Sequence, residues 1–81
     1  MNLKLYYFPS CPFCKKVLNY LDDNDLREYV ELKNVKENSK DKKDLINIGG
    51  KYQVPCLFID EKPLYESNDI IRWFKKNNEV E

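Results

Sequence analysis

An apolar, aromatic run, Leu3, Leu5, Tyr6, Tyr7 and Phe8, breaks off at Pro9-Ser10-Cys11-Pro12-Phe13-Cys14. This junction constrains the chain more than any other stretch. The run reads as a strand over residues 2–8. Past the junction, Cys14, Val17, Leu18 and Leu21 recur at i, i+3, i+4 and i+7, which predicts an amphipathic helix over residues 11–22. Pro12 suits the first turn of that helix, where its missing N–H would have had no partner. Cys11 is therefore expected at the open mouth of a helix, and Cys14 one turn inside.

A thiol with an ordinary pKa of about 8.5 is only a few per cent thiolate at neutral pH. Free N–H groups and the positive end of the macrodipole favour the anion at a helix N-terminus. In Cys-X-X-Cys sites of this kind the pKa falls to between roughly 3.5 and 7.5. Lys15 and Lys16 add positive charge nearby. Cys11 is accordingly assigned as the attacking thiolate and Cys14 as the resolving thiol. Two other uses of the pair compete. A structural disulfide would close a loop of about four residues, worth roughly 2 kcal/mol in the chain-entropy model. A zinc site needs two further ligands, and the chain offers Cys56 and no histidine. Redox chemistry fits the pair better than either, and no metal is expected.

With 81 residues, the chain is expected to form one small domain over 1–81. Lysines and arginines balance aspartates and glutamates at 14 each. No net field then draws the protein to nucleic acid or to an anionic membrane. Three cysteines is an odd number and does not suit a secreted disulfide framework. The N-terminal apolar stretch is interrupted by Lys4, and neither a signal peptide nor a membrane span is expected. These features point to a cytoplasmic monomer, where such a pair is more often catalytic than structural.

Asn24-Asp25 predicts a turn, and Tyr29-Val30-Glu31-Leu32 a second strand ending near Asn34-Val35. Lys36 to Asp44 reads as a loop and then a solvated helix face; Leu45, Ile46 and Ile48 supply the apolar edge, and Gly49-Gly50 the end. Residues 55–60 form a third strand, Asp60-Glu61-Lys62-Pro63 a turn, and Leu64-Tyr65-Glu66 an edge strand. Ser67 is expected to cap a last helix that buries Ile70, Ile71 and Phe74, with Trp73 as packing. The order is β-α-β-α-β-β-α, an α/β chain without repeat or linker. Right-handed crossovers make the first three strands neighbours in a four-stranded mixed sheet covered by helices.

Taken together, Cys-Pro-Phe-Cys opening a helix, Val54-Pro55 starting a later strand, and Glu66-Ser67-Asn68-Asp69 opening the last helix resemble glutaredoxin. The likeness covers essentially the whole chain and implies the thioredoxin fold. Glu66-Ser67, where many glutaredoxins have Gly-Gly, looks like the N-terminal domain of glutathione transferases; Phe8 stands where many glutaredoxins have lysine. The family places a cis proline at Pro55, leaving the backbone of Val54 free to bond a peptide disulfide. The resemblance implies no bound cofactor, with glutathione as co-substrate. Phe13, Val54 and Pro55 would contact it. Its γ-glutamyl end would meet the last helix at Glu66, Ser67, Asn68 and Asp69, and its glycine carboxylate would meet Lys51 or Gln53. Cys56 is expected to be a small buried packing residue.

The activity so implied is glutathione-dependent thiol–disulfide oxidoreduction acting on glutathionylated and disulfide-bearing proteins. Two alternatives share the motif. One is a redoxin reduced by a thioredoxin-reductase-type flavoprotein, serving an enzyme such as ribonucleotide reductase. The other is a non-enzymatic iron–sulfur carrier.

Overall fold

The computed structural model describes residues 2–78. Its elements are β1 Leu3–Tyr7, α1 Pro12–Asp23, β2 Glu31–Asn34, α2 Ser39–Gly49, β3 Cys56–Ile59, β4 Lys62–Tyr65 and α3 Ser67–Asn78. The sheet order is β2-β1-β3-β4. β1 runs parallel to β2 (Leu5 opposite Leu32) and antiparallel to β3 (Leu5 opposite Leu57), and β3 and β4 form an antiparallel hairpin. This is the mixed sheet and element order expected of a thioredoxin-like fold. Among the described residues no helix is long and apolar enough to cross a membrane.

The two-residue period of the strands divides the core between the faces. On one face Leu5 and Leu57 pack with Val17 and Leu21 of α1 and Ile70 and Phe74 of α3. On the other, Tyr6, Cys56 and Phe58 pack with Val35 and with Leu45 of α2. The Cys-Pro-Phe-Cys junction lies where β1 leaves the sheet, so both layers adjoin it.

Several boundaries differ from the sequence expectation, each for a local reason. Tyr29 and Val30 do not begin β2. Arg27–Tyr29 forms a 3-10 turn, which drives Leu26 and Val30 into the core on either side of it. The hairpin turn is shorter than expected. Asp60 and Glu61 both take positive φ (50° and 72°), the two-residue geometry that matches strand twist. Lys62 and Pro63 therefore join β4, where an edge position tolerates proline.

In α2, Asn38 caps the helix by accepting from the N–H groups of Lys40 and Asp41. The buried row is Asp41 and Leu45, four residues apart, while Ile46 and Ile48 are exposed at 39% and 44%. The apolar edge expected at 45, 46 and 48 is thus one leucine wide. Gly50, at φ 87°, closes the helix in the left-handed region that glycine enters freely. Ser67 is not the cap of α3. It is the first helical residue and buried, and the Glu66 carbonyl accepts from the Ile70 N–H.

Candidate active site

The site is built at the exit of β1. Phe8-Pro9-Ser10-Cys11 closes a turn in which the Cys11 N–H donates to the Phe8 carbonyl at 3.2 Å. Cys11 is the N-cap residue of α1, with extended φ and ψ of −79° and 121° and Pro12 following at the first turn. Its carbonyl accepts from the Lys15 N–H at 2.9 Å, and its thiol is partly exposed. Cys14 lies one turn inside and is fully buried; its Sγ accepts from the Phe8 N–H at 3.5 Å.

The three cysteines are free thiols in different surroundings. Burial pushes the Cys14 thiol up to about 12; the Phe8 N–H pulls it down, and the adjoining Cys11 adds to the rise. Burial likewise pushes Cys56 up to about 11, against hydrogen bonds from Tyr65 and the Leu64 backbone that favour its anion. Of the two cysteines of the motif, only Cys11 reaches solvent, and Cys14 holds its proton in the interior.

The Val54–Pro55 peptide bond is cis. Beside it runs a groove of about 280 Å³ lined by Phe13, Gln53, Val54, Pro55, Glu66, Ser67 and Asn68. Three separate parts of the chain meet there: α1 through Phe13, the segment leading into β3, and the start of α3. Phe13 is 64% exposed, an unusual position for a phenylalanine. Gln53 Nε2 donates to Glu66 Oε1 at 3.2 Å and ties two walls together. Glu66, at φ 73°, turns the chain so that α3 opens onto the groove.

Seven of the nine residues expected to contact glutathione line this groove, and two do not. The Lys51 ammonium sits 4.4 Å from the Tyr65 ring centroid. Asp69 bonds Arg72 on the next turn of α3 at 2.8 Å. Cys56 is wholly buried, packed with Tyr6 and Phe58. Among the described residues, no group of three His, Cys, Asp or Glu side chains converges as a metal site would require.

Three residues matter here in ways the sequence reading missed. Phe8, noted as a strand residue and as standing where many glutaredoxins have lysine, bonds both cysteines of the motif through its backbone. The Pro9 that follows it was a usable turn signal. Lys16 reaches across to α3 and donates to Asn68 Oδ1 at 2.5 Å, a contact between residues 52 apart that no local pattern announces. The Tyr65 hydroxyl donates to the Gly49 carbonyl at 2.8 Å and so ties β4 to the end of α2.

The family described as glutathione S-transferase, N-terminal domain, matches residues 5–80. Glutaredoxin 1 of Rickettsia prowazekii is 33% identical over 73 residues, covering 89% of this chain and 76% of that protein. A glutaredoxin-like 8.6 kDa protein encoded in a rubredoxin operon of Clostridium pasteurianum is 31% identical over 58 residues, covering 72% of this chain and 75% of that one. Among solved structures, a thioredoxin-like protein superposes with a TM-score of 0.76 over 89% of this chain and 96% of its own, at 22% identity.

Proposed function

Since the chain belongs to the glutaredoxin-like proteins of the thioredoxin fold, within the family of glutathione S-transferase N-terminal domains, we propose that it is a glutathione-dependent thiol–disulfide oxidoreductase working through Cys11 and Cys14. The Cys11 thiolate attacks the glutathionyl sulfur of a mixed disulfide. A bond from Cys11 to that sulfur forms, the bond to the substrate sulfur breaks, and the substrate thiolate leaves and takes a proton from water. A second glutathione thiolate then attacks the sulfur held by Cys11 and departs as glutathione disulfide, returning Cys11. The net exchange is mixed disulfide plus glutathione to substrate thiol plus glutathione disulfide.

For a protein disulfide, Cys11 forms a mixed disulfide with one substrate sulfur and releases the other. The Cys14 thiolate then attacks the Cys11 sulfur and expels the remaining substrate sulfur as a thiolate, closing a Cys11–Cys14 bridge that two glutathiones reduce, leaving as glutathione disulfide. Burial favours the protonated form of Cys14, so this second step requires the loss of that proton.

The observation that supports this reading best is the groove, which begins at Phe13, two residues after Cys11, and ends at the N-terminus of α3. A helix N-terminus presents free N–H groups to an anion, here the γ-glutamyl carboxylate. Glu66 offers a countercharge to its ammonium. A second reading, reduction by a thioredoxin-reductase-type flavoprotein, draws on Lys51, which lies over Tyr65 away from the groove.

The test is turnover of a small glutathione mixed disulfide. Cys14→Ser should keep most of the activity, and Cys11→Ser should fall to background. Wild-type turnover in Cys11→Ser would refute the role of Cys11. Activity with the flavoprotein but none with glutathione would favour the second reading.

A further inference from the structure

A cavity of about 250 Å³ opens between α2 and the sheet, toward the end of β1 where the strand begins and away from Cys11. Lys4 and Tyr6 of β1 and Phe58 of β3 form its floor. Lys4 and Phe58 are direct partners in the sheet and Tyr6 lies two residues on, so all three project from one face. Lys40, Asp44 and Ile48 recur every fourth residue along α2 and form its wall, and Glu61 of the hairpin turn borders it. None of these residues lines the groove beside Pro55.

Two features distinguish this cavity from an ordinary surface cleft. Two ammoniums and two carboxylates line it, yet among the described residues no ion pair engages Lys4, Lys40, Asp44 or Glu61. The second feature is Tyr6, which is only 1% exposed although its hydroxyl forms no hydrogen bond among the described residues. Every fully buried side-chain nitrogen or oxygen there has a partner, so this hydroxyl is not sealed in the interior but faces the cavity. Burial and the nearby Asp44 carboxylate raise Tyr6 above its ordinary value. The phenol therefore keeps its proton at neutral pH and is a ready donor.

We propose that this cavity binds a free α-amino acid with an apolar side chain. Neither the groove nor the cysteine pair takes part, so the site stands whether or not Cys11 exchanges with glutathione. Lys4 and Lys40 attract the carboxylate, and Asp44 and Glu61 the ammonium. The Tyr6 hydroxyl can donate to the first and accept from the second. The Phe58 ring and Ile48 give the side chain an apolar wall, a use for an isoleucine that α2 otherwise leaves in water. At about 30 Å³ per water, the volume equals about eight waters, room for an amino acid the size of leucine and too little for a tripeptide. A ligand with one charge leaves two protein charges of the other kind unmatched, which sets the selectivity.

The experiment titrates the reduced, nitrogen-15-labelled protein with leucine and follows the amide shifts. Two analogues accompany it: isocaproate, which lacks the ammonium, and isoamylamine, which lacks the carboxylate. Leucine should give saturable shifts at Tyr6, Asp44 and Phe58, and each analogue should bind about tenfold more weakly. Lys40→Gln with Asp44→Asn, two substitutions on the outer surface of α2, should weaken leucine by about tenfold, and Tyr6→Phe by about fivefold. Lys43→Gln, beside the cavity but not lining it, should change nothing, and Cys11→Ser should bind leucine as wild type does. No saturation up to about 50 mM leucine would overturn the proposal. So would analogues that bind as tightly as leucine, or shifts confined to Phe13, Gln53 and Ser67, which would place the amino acid in the groove. Should Tyr6→Phe fail to fold, the surface pair decides: leucine affinity unchanged in Lys40→Gln with Asp44→Asn would overturn the site.

Discussion

The two faces of the sheet are built from different chemistry. The face under α1 and α3 is filled by Leu5, Val17, Leu21, Leu26, Val30, Leu57, Ile70 and Phe74, none of which titrates. The face under α2 is filled by Tyr6, Val35, Leu45, Cys56 and Phe58, with Tyr65 packed against them. The Tyr6 and Phe58 rings meet tilted by 42°, with centroids 4.6 Å apart. The first face holds the fold by apolar burial alone. The second holds ionisable groups out of water and also positions Pro55, Tyr65 and Phe8 around the site. Stability and site-building are therefore divided between the faces, and the division can be attacked experimentally.

Raising the pH should have the largest effect, and it should act through the second face. Burial raises Cys56 to about 11 and Tyr65 to about 12, and it raises Tyr6 as well; Cys14 on α1 joins them at about 12. Each group ionises in the unfolded chain before it does so in the folded one. Below about 9 for the thiols both states keep the proton, and the contribution to stability is whole. Between 9 and 11 or 12 the unfolded chain has lost protons that the folded chain retains, so stability falls with rising pH. Urea unfolding of the reduced protein across this window should show the decline. Cys56→Ala and Tyr6→Phe should each flatten it. Leu21→Ala should leave the slope unchanged, and a slope altered as much by Leu21→Ala as by Cys56→Ala would break the division.

At neutral pH the ranking reverses. Leu21 is fully buried between α1 and the sheet, and Leu21→Ala should cost about 3 kcal/mol by lost transfer energy and a residual cavity. Cys56→Ala removes one sulfur and should cost about 1 kcal/mol. Equal losses in the same unfolding measurement would show that the α2 face stores as much of the stability as the other.

Gly49→Ala probes where α2 meets β4. A Cβ at Gly49 would stand 2.5 Å from the Tyr65 hydroxyl, the group that bonds the Gly49 carbonyl. The hydroxyl must move and its hydrogen bond is lost, outweighing the gain in helix propensity, so a net loss of about 1 kcal/mol is expected. In a Tyr65→Phe background the obstructing oxygen is gone. There the same substitution should be neutral or stabilising, and a loss that persists would mean that the backbone, not Tyr65, resists the methyl.

The sequence made the first face legible and the second only in outline. Helical spacing picked out Val17, Leu21, Ile70 and Phe74 because an apolar stripe on a helix has one place to go. The groove was legible in part. Pro55, Phe13 and Ser67 came from their motif, but Lys51 and Asp69 went to partners, Tyr65 and Arg72, that only the folded chain brings near. The reach of Lys16 to Asn68 joins two helices whose relative placement no local period encodes. The short hairpin was hidden because Asp60 and Glu61 lack the glycine that usually announces two positive φ values.

The smallest effect is expected where the sequence pattern misled. Ile46 and Ile48 sit beside Leu45 in a run that reads as one apolar edge, yet α2 turns only Asp41 and Leu45 inward. Ile46 lies about 100° round the helix from Leu45 and Ile48 about 60° round on the other side, and with the contact row centred on Asp41 and Leu45 both are left exposed. Ile46→Ser and Ile48→Ser should each change stability by less than about 0.5 kcal/mol, whereas Leu45→Ala should cost about 2 kcal/mol or more. A loss at Ile48 comparable with that at Leu45 would mean that α2 is rolled toward the sheet by about one residue's rotation. The second face would then be as thickly covered as the first, and its ionisable groups would owe their raised pKa values to depth under α2, not to the sheet beneath them.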